Sequence, residues 1–403
     1  MVSLPRHEVV SLTGISNLCH FYNIPFLRFS FLTDYNKIFR QVLDHLNQLE
    51  EGAFEYAFDY ILIDERQDFP KVFFELCERV AKKKIYIAGD IFQDIFENTK
   101  GIELEVNVIL NRCYRTDPRT LMFAHAVGLG LFEKKKLNWF PDEYWGAIGY
   151  SVNRNEKNIQ LTRDPIRRFE DLEDEDIPSM VLSKYDRTDQ IIDIIKEIKN
   201  KNVNITPNDI CIIVLDDDRS IFEYMDSLAY KIISELNWEI NRAYESKGKV
   251  NDAIYLTNAN NVKGLEFPFV ICVTTAIKNT YRYRNVLYTM LTRSFIQSYL
   301  LVGNDNGLDV WRSGLETINS QRAIQTIEPT ESEKAVIKSN IRNLQKQKNI
   351  SYKDFLSKIF SELKIKGECK EKLEKALIES DIEKFDKDKT VKFINANKEF
   401  YCK

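Results

Sequence analysis

Residues 61–69 read ILIDERQDF, and this stretch decides the fold class of the chain. With Tyr60 before it, an apolar run ends abruptly at two acids, Asp64 and Glu65. Such a run predicts a strand that is covered on both faces, as in a parallel sheet. The acids then lie at the carboxyl edge of the sheet, where open α/β folds bind nucleotides. Two adjacent acids alone more often mark a solvated strand end. The interpretation therefore depends on the whole string ILIDERQDF and not on the two acids alone.

The surrounding sequence continues an α/β rhythm. Apolar periodicity predicts an amphipathic helix over 70–83, and it is followed by a buried strand at 85–88. Upstream, Thr33 is a candidate cap for a helix that runs to about Leu49. A second set of strands and helices is predicted downstream: strands at 180–182, 210–215, 253–256, 269–274 and 299–302, with helices at 186–199 and 221–236. From about residue 320 the Lys/Glu-rich pattern predicts helices.

Composition excludes several classes of protein. The chain has 403 residues, enough for two or three domains, and its net charge is −4. A nucleic-acid site on it must therefore be a local basic groove. The seven cysteines and four histidines are scattered, which argues against disulfide frameworks and zinc sites. There is no apolar run of about 18 residues and no signal-peptide pattern, so we expect a cytoplasmic protein with no membrane partner.

Four further strings follow ILIDERQDF in the chain. They are IAGDIFQDIF (87–96), LNRCYRT (110–116), LTNANNVKGLEFPFVICV (256–273) and RNVLYTMLTRSFIQSYLLV (284–302). Each has a plain structural explanation on its own. Phe92 and Phe96 could pack in a core, and Arg115 could be a surface residue at the start of a helix. The occurrence of all five strings in this order is what supports a functional interpretation.

Together these five strings resemble the motifs of UvrD/Rep-type superfamily 1 DNA helicases. That resemblance covers roughly residues 1–305 and implies tandem RecA-like P-loop NTPase domains that use ATP and Mg²⁺ to move along single-stranded DNA. It implies a nucleotide site in a cleft between the two domains. The implied catalytic residues are Asp64, Glu65, Gln67, Gln93, Arg115 and Arg293.

The resemblance also assigns individual roles. Asp64 would hold Mg²⁺, and Glu65 would orient and deprotonate the attacking water. Gln93 would sense the γ-phosphate, while Arg115 and Arg293 would stabilise its charge as arginine fingers. Gly264 would allow a close backbone approach, and Glu266 would contact the nucleotide sugar. Contacts with DNA would come from Phe96, Thr257, Asn260 and Lys263, with Asn260 standing where the family has histidine.

One motif of the family does not occur in this sequence. The phosphate loop GxxxxGK[S/T], whose backbone amides and lysine bind phosphates, has no match among the 403 residues. The strings around Lys247 and Lys263 lack the glycine spacing. Three explanations stay open: a start that is truncated, a split protein whose partner chain supplies the loop, or a domain that has lost ATPase activity. In each case we expect this chain alone to bind ATP poorly.

These expectations define a domain plan and a function. We expect an incomplete first RecA-like domain over 1–133, a linker or small insertion over 134–178, a second RecA-like domain over 179–318, and a helical C-terminal extension over 319–403. The expected function is an ATP-dependent DNA helicase or translocase, as a fragment that is inactive alone. The alternatives are a non-catalytic DNA-binding or regulatory subunit, half of a split helicase, or an α/β nucleotide-binding protein unrelated to DNA.

Overall fold

The structure, a computed structural model, divides the chain into two compact units. One unit comprises residues 1–102 and 345–403, and the other comprises 103–344. The ranges that the structure describes are 12–24, 35–49, 54–66, 69–89, 107–108, 113, 115–163, 179–216, 220–243, 250–259, 261–262, 264–304, 307–348, 352–379 and 387–401. The four-part division expected from the sequence stays a prediction.

The first unit contains the strand that the opening string predicts. Strand β1 (Phe58–Ile63) pairs in parallel with β2 (Ala81–Ile87), in a register that sets Ile61 beside Ile85. The accompanying helices are α1 (Leu12–Phe21), α2 (Tyr35–Asn47) and α3 (Lys71–Val80). Ile61 and Ile63 are buried and share a core with the apolar stripes of α2 and α3. The strand–helix–strand order is thus confirmed.

Two details of this unit correct the sequence expectation. Helix α3 ends at Val80, and β2 begins at once at Ala81, so residues 81–83 are strand instead of helix. The strands are also not covered on both faces: Tyr60 is 52% exposed and Leu62 is 76% exposed. Both side chains alternate with buried Ile61 and Ile63, which is the pattern of a sheet with one open face.

The second unit contains a six-stranded parallel sheet. Its strand order is β5-β10-β9-β6-β8-β7. The bounds are β5 Met180–Lys184, β6 Ile210–Val214, β7 Glu239–Arg242, β8 Ala253–Asn258, β9 Phe267–Thr274 and β10 Ser294–Val302. The central strands β6 and β9 are almost wholly buried, as their continuous apolar sequence predicts. Five of these strands confirm sequence predictions, and β7 was missed.

Helices connect and cover this sheet. They are α4 (Pro118–Leu129), α5 (Asp142–Ala147), α6 (Asp189–Lys201), α7 (Ser220–Leu236), α8 (Tyr281–Leu291) and α9 (Leu308–Gln321). Helix α6 places four isoleucines in the core, and α7 packs Met225, Leu228 and Ile232 against the same cluster. The mixed α/β class with a parallel sheet is therefore confirmed, whereas the tandem RecA-like arrangement stays a prediction.

A small antiparallel sheet was not expected from the sequence. Strands β3 (Tyr150–Asn155) and β4 (Asn158–Arg163) form a hairpin, and β11 (Ala323–Ile327) pairs with β4. The sequence of the aromatic segment before the hairpin predicts irregular structure. Trp145 in this segment is fully buried and contacts Tyr150. Much of the expected linker is thus ordered structure inside the second unit.

The C-terminal part is helical, as predicted. After β11 the helices are α10 (Glu331–Lys348), α11 (Tyr352–Glu362), α12 (Gly367–Glu379) and α13 (Lys387–Tyr401). Leu356, Phe360, Leu373 and Ile394 form the centre of a separate apolar cluster. Within the ranges described above, no helix is long and apolar enough to cross a membrane.

His125, on α4, predicts a pH-dependent stability of the second unit. It is 2% exposed, and its Nδ1 lies 2.7 Å from the hydroxyl of Tyr150. Burial, with a smaller contribution from Arg163, lowers the pKa of His125 well below its ordinary value. The unfolded chain therefore binds a proton that the folded chain does not, so stability is lost as pH falls below about 6.5.

We expect the free energy of unfolding to fall by up to about 1.4 kcal/mol per pH unit below that point. Urea titrations at a series of pH values measure it. His125→Gln should flatten the dependence, whereas replacing the exposed His20 with asparagine should keep the wild-type slope. A His125→Gln slope equal to that of the wild type would contradict the assignment.

Candidate functional site

The two acids of the opening string lie where β1 ends. The strands remain linked beyond their ends, because Ala88 N donates to Ile63 O at 2.8 Å and Arg66 N donates to Ala88 O at 3.0 Å. Asp64 is exposed, and one of its carboxylate oxygens accepts a hydrogen bond from Glu65 N at 2.9 Å. This turn therefore presents the Asp64 carboxylate at the carboxyl edge of the sheet.

Glu65 has a backbone conformation that a side chain disfavours. Its φ is 54°, in the left-handed region that glycine adopts most readily. An L-residue there loses roughly 1–2 kcal/mol relative to the right-handed conformation. Strain of this kind is frequent at functional positions, where the surrounding structure holds a side chain in a required direction.

In the second unit, residues distant in sequence meet near the start of α4. Arg115 Nη1 lies 3.4 Å from Glu266 Oε1, in an ion pair whose side chains are about one-third exposed. The hydroxyl of Thr116 donates to Thr292 O at 3.0 Å, which ties this turn to the end of α8. The Nε of Arg115 is buried and has no hydrogen-bond partner among the described residues. A ligand could therefore reach only the exposed part of the guanidinium and not this Nε.

Arg293 lies beside this ion pair through its backbone. Phe267 N, directly after Glu266, donates to Arg293 O at 3.0 Å. The Arg293 side chain is 2% exposed, and its Nε donates to Thr289 O at 3.0 Å. It is therefore held inside its own unit, whereas the sequence resemblance implies an arginine that reaches outward.

Two other predicted residues lie in the described part of the second unit. Gly264 has a φ of 79°, and a Cβ on it would meet no atom within 4 Å. This backbone conformation favours glycine, and the close backbone approach implied by the resemblance stays a prediction. Thr257, expected to touch DNA, is fully buried in β8, and its hydroxyl donates to Asn258 O at 3.1 Å.

The remaining predicted site residues lie outside the described ranges. They are Gln67, Gln93, Phe96, Asn260 and Lys263. Their assigned roles stay predictions. Among the residues that the structure describes, no group of three or more histidine, cysteine, aspartate or glutamate side chains could hold a metal ion.

Sequence reasoning missed a buried arginine in the last motif string. Arg284 is 1% exposed, and its guanidinium donates to Val127 O at 2.6 Å and to Glu133 Oε1 at 2.5 Å. It also lies 4.7 Å from the ring centre of Trp311. An arginine beside polar residues on a helix gives no sequence signal of burial, so the spacing could not reveal this network.

Comparisons with known proteins bear on the segment that holds Glu266 and Arg293. Residues 253–301 match the family described as the UvrD-like helicase C-terminal domain. No curated protein matches the chain. Among solved structures, the C-terminal domain of a possible DNA helicase from Lactobacillus plantarum is 14% identical, with 47% of this chain and 88% of that chain covered and a TM-score of 0.28. Residues 253–301 are thus similar to the UvrD-like helicase C-terminal domain.

Proposed function

We propose that this chain is a component of an ATP-dependent superfamily 1 DNA helicase or translocase. The observation that carries the proposal is the ion pair of Arg115 with Glu266 in the second unit, beside which the backbone of Arg293 lies. These residues come from three separate motif strings, and two of them lie in the segment that matches the UvrD-like family. A nucleotide-responsive site would need such charged groups together.

The residues of the second unit fit a nucleotide phosphate chemically. Arg115 is partly exposed, so a ligand could reach the exposed part of its guanidinium. A guanidinium is suited to bidentate contact with phosphate oxygens. Glu266, whose side chain is 35% exposed, is an acceptor for hydroxyl groups such as those of a ribose. Arg115 would stabilise charge on a phosphoryl group, and Glu266 would hold the sugar.

The residues of the first unit fit Mg²⁺ and a hydrolytic water. Mg²⁺ in phosphoryl-transfer sites takes only one or two protein carboxylates, with the other ligands from phosphates and water. The exposed Asp64 carboxylate meets that requirement. Glu65, next to it in a strained conformation, is the candidate general base. Bound ATP·Mg²⁺ would supply the phosphoryl chemistry, and these side chains would orient the metal and accept the proton from water.

A second function is favoured by one specific observation. The chain contains no GxxxxGK[S/T] string, so the usual cradle for the β- and γ-phosphates has no counterpart in it. A non-catalytic DNA-binding or regulatory subunit would need no such cradle. The two proposals differ in what they require of Glu65, which only a hydrolytic enzyme needs as a base.

ATPase assays with and without single-stranded DNA separate the two functions. They are run on this chain and on a form that carries a phosphate-loop strand and helix ahead of residue 1. We expect hydrolysis by this chain to be close to background, and DNA-stimulated turnover by the loop-bearing form. Glu65→Gln should lower that turnover by about 10²–10⁴-fold, the range for losing a general base.

The control is Glu78→Gln, which removes a carboxylate from helix α3 of the same unit. It should leave turnover unchanged. If the loop-bearing form hydrolyses no ATP, or if Glu65→Gln turns over like the parent, the helicase proposal fails and the regulatory subunit is favoured.

A further inference from the structure

The open face of the first unit's sheet has an unusual composition. Tyr60 and Leu62 project from β1, and the register places Lys84 beside Tyr60 and Tyr86 beside Leu62. Tyr60 and Tyr86 are 52% and 50% exposed, and Leu62 is 76% exposed. On the opposite face Ile61 and Ile63 are buried, while Ile87, which lies beside Ile63, is 47% exposed. The face of Tyr60 and Leu62 is therefore the one that carries aromatic and basic side chains.

Lysines accompany both tyrosine rings. The ammonium group of Lys84 lies 5.2 Å from the ring centre of Tyr86, and that of Lys83 lies 5.1 Å from the ring centre of Tyr60. Lys83 is paired with Asp59 at 3.0 Å, so its charge is balanced. Lys84 is exposed and lies beside Tyr60 in the strand pairing, which places it on the open face. This face thus combines two half-exposed rings with two lysines.

We propose that this open face is a stacking platform for single-stranded nucleic acid. Unpaired bases stack on exposed aromatic rings, and nearby lysines contact the phosphates. The proposal rests on the nucleic-acid part of the proposed function, and it places a contact at residues that none of the five motif strings assigns to DNA.

A protein layer over this face is the competing occupant, because parallel sheets are usually covered on both sides. Strands covered in that way carry continuous aliphatic sequence. Here the residues of β2 that lie beside Tyr60 and Leu62 are Lys84 and Tyr86. A protein layer would have to bury the ammonium group of Lys84, which is unfavourable without a paired acid. Phosphates supply the complementary charge directly.

The test is fluorescence anisotropy with a labelled oligothymidylate of about 12 nucleotides, a length within the range that one single-strand-binding fold covers. Tyr60→Ala combined with Tyr86→Ala should weaken binding about 30-fold or more, since each stacked base contributes at least about fivefold. Tyr60→Phe combined with Tyr86→Phe should bind like the wild type, because the rings remain. Tyr230→Ala, at a tyrosine 75% exposed in the second unit, is the matched control and should change nothing.

A salt titration gives an independent readout that a folding defect would not mimic. Lys84→Ala should reduce the slope of log affinity against log salt by about 0.7, the value for one phosphate contact. Lys37→Ala, at an exposed lysine on α2, should keep the slope. Affinities for oligouridylate and for a duplex are measured in the same way, to distinguish RNA from DNA and single strands from duplex. If the duplex binds as tightly as the single strands, the proposal is overturned.

Two further results would overturn it. One is equal oligothymidylate affinity for the tyrosine-to-alanine variant and the wild type. The other is that the wild-type chain forms an oligomer and that Leu62→Asp dissociates it. This would show that another copy of the chain covers the open face. If the tyrosine substitutions do not change oligothymidylate binding but the loop-bearing form shows DNA-stimulated turnover, only the platform proposal fails. If they weaken binding but the loop-bearing form hydrolyses no ATP, only the proposed helicase function fails.

Discussion

Arg284→Ala is expected to destabilise the second unit by about 3–5 kcal/mol, the range for breaking a buried ion pair from one side. The side chain is 1% exposed and donates to Val127 O, to Lys278 O at 3.1 Å and to Glu133. Truncation leaves the Glu133 carboxylate in a partly buried place, where Trp311 Nε1, at 3.1 Å, is the one donor that remains to it among the described residues. Urea unfolding followed by tryptophan fluorescence measures the loss.

The matched control is Arg312→Ala. Arg312 is paired with Asp309 at 2.9 Å, but the aspartate side chain is 93% exposed. Exposed pairs contribute about 0–1 kcal/mol, so this substitution should have little effect. An Arg284→Ala variant within about 1 kcal/mol of the wild type, the limit for an exposed pair, would show that the network is not structural.

Replacing both charged partners should be much milder. Arg284→Met combined with Glu133→Gln removes the two opposite charges and keeps side chains of similar length. Buried ion pairs replaced as a unit are often neutral for stability, because both desolvation penalties disappear together. The double variant should therefore recover most of the stability that Arg284→Ala loses.

Arg115→Ala is expected to lower DNA-stimulated ATP turnover of the loop-bearing form by about 10³-fold or more, as for other arginines that stabilise transferred phosphoryl groups. Arg115 is partly exposed, and its ion pair among the described residues is a long one, with Glu266 at 3.4 Å. Its removal should change the free energy of unfolding by less than about 1 kcal/mol. A large change in turnover with a small change in stability identifies a chemical role.

Arg115→Lys should recover only part of the turnover, because lysine keeps the charge but loses the planar fork. Arg282→Ala, at an exposed arginine on α8, is the control and should behave like the parent. A variant with full turnover but reduced stability would assign Arg115 a structural role instead.

The sequence predicted elements best where burial is simplest. Strands β6, β8, β9 and β10 each contain the continuous apolar run that predicted them, although β10 begins earlier, at Ser294. Strand β7 was missed because three of its four residues are polar or charged and because it lies at the edge of the sheet. The pairing of β11 with β4 joins residues about 160 positions apart, which no local pattern can show.

The face of β1 shows why burial was predicted less well than strand position. The run from Tyr60 to Ile63 contains only apolar or aromatic residues, so it resembles a strand covered on both sides. Whether the second face is covered depends on what lies next to it, and local sequence does not encode that. The lysines of β2 were the available signal, because ammonium groups seldom face a packed layer.

In the candidate site, too, some features were predictable from the sequence and others were not. The motif resemblance implies that Arg115, Glu266 and Arg293 all belong to a nucleotide site, which stays a prediction; the fold pairs Arg115 with Glu266 and places the backbone of Arg293 beside them. Side-chain direction was not predictable: Arg293 turns into its own unit, and Thr257 is buried. A motif specifies which residue occupies a backbone position, whereas rotamer and burial depend on contacts that are distant in sequence.

The backbone conformation at position 65 and the proposed catalytic role favour different residues. Its φ of 54° would suit glycine, which has no Cβ to clash and would relieve roughly 1–2 kcal/mol of strain. Water activation would require a carboxylate there, which glycine cannot supply. A search for more stable variants of this chain would therefore favour the substitution that removes the proposed base, so stability and activity would rank residues at position 65 in opposite order.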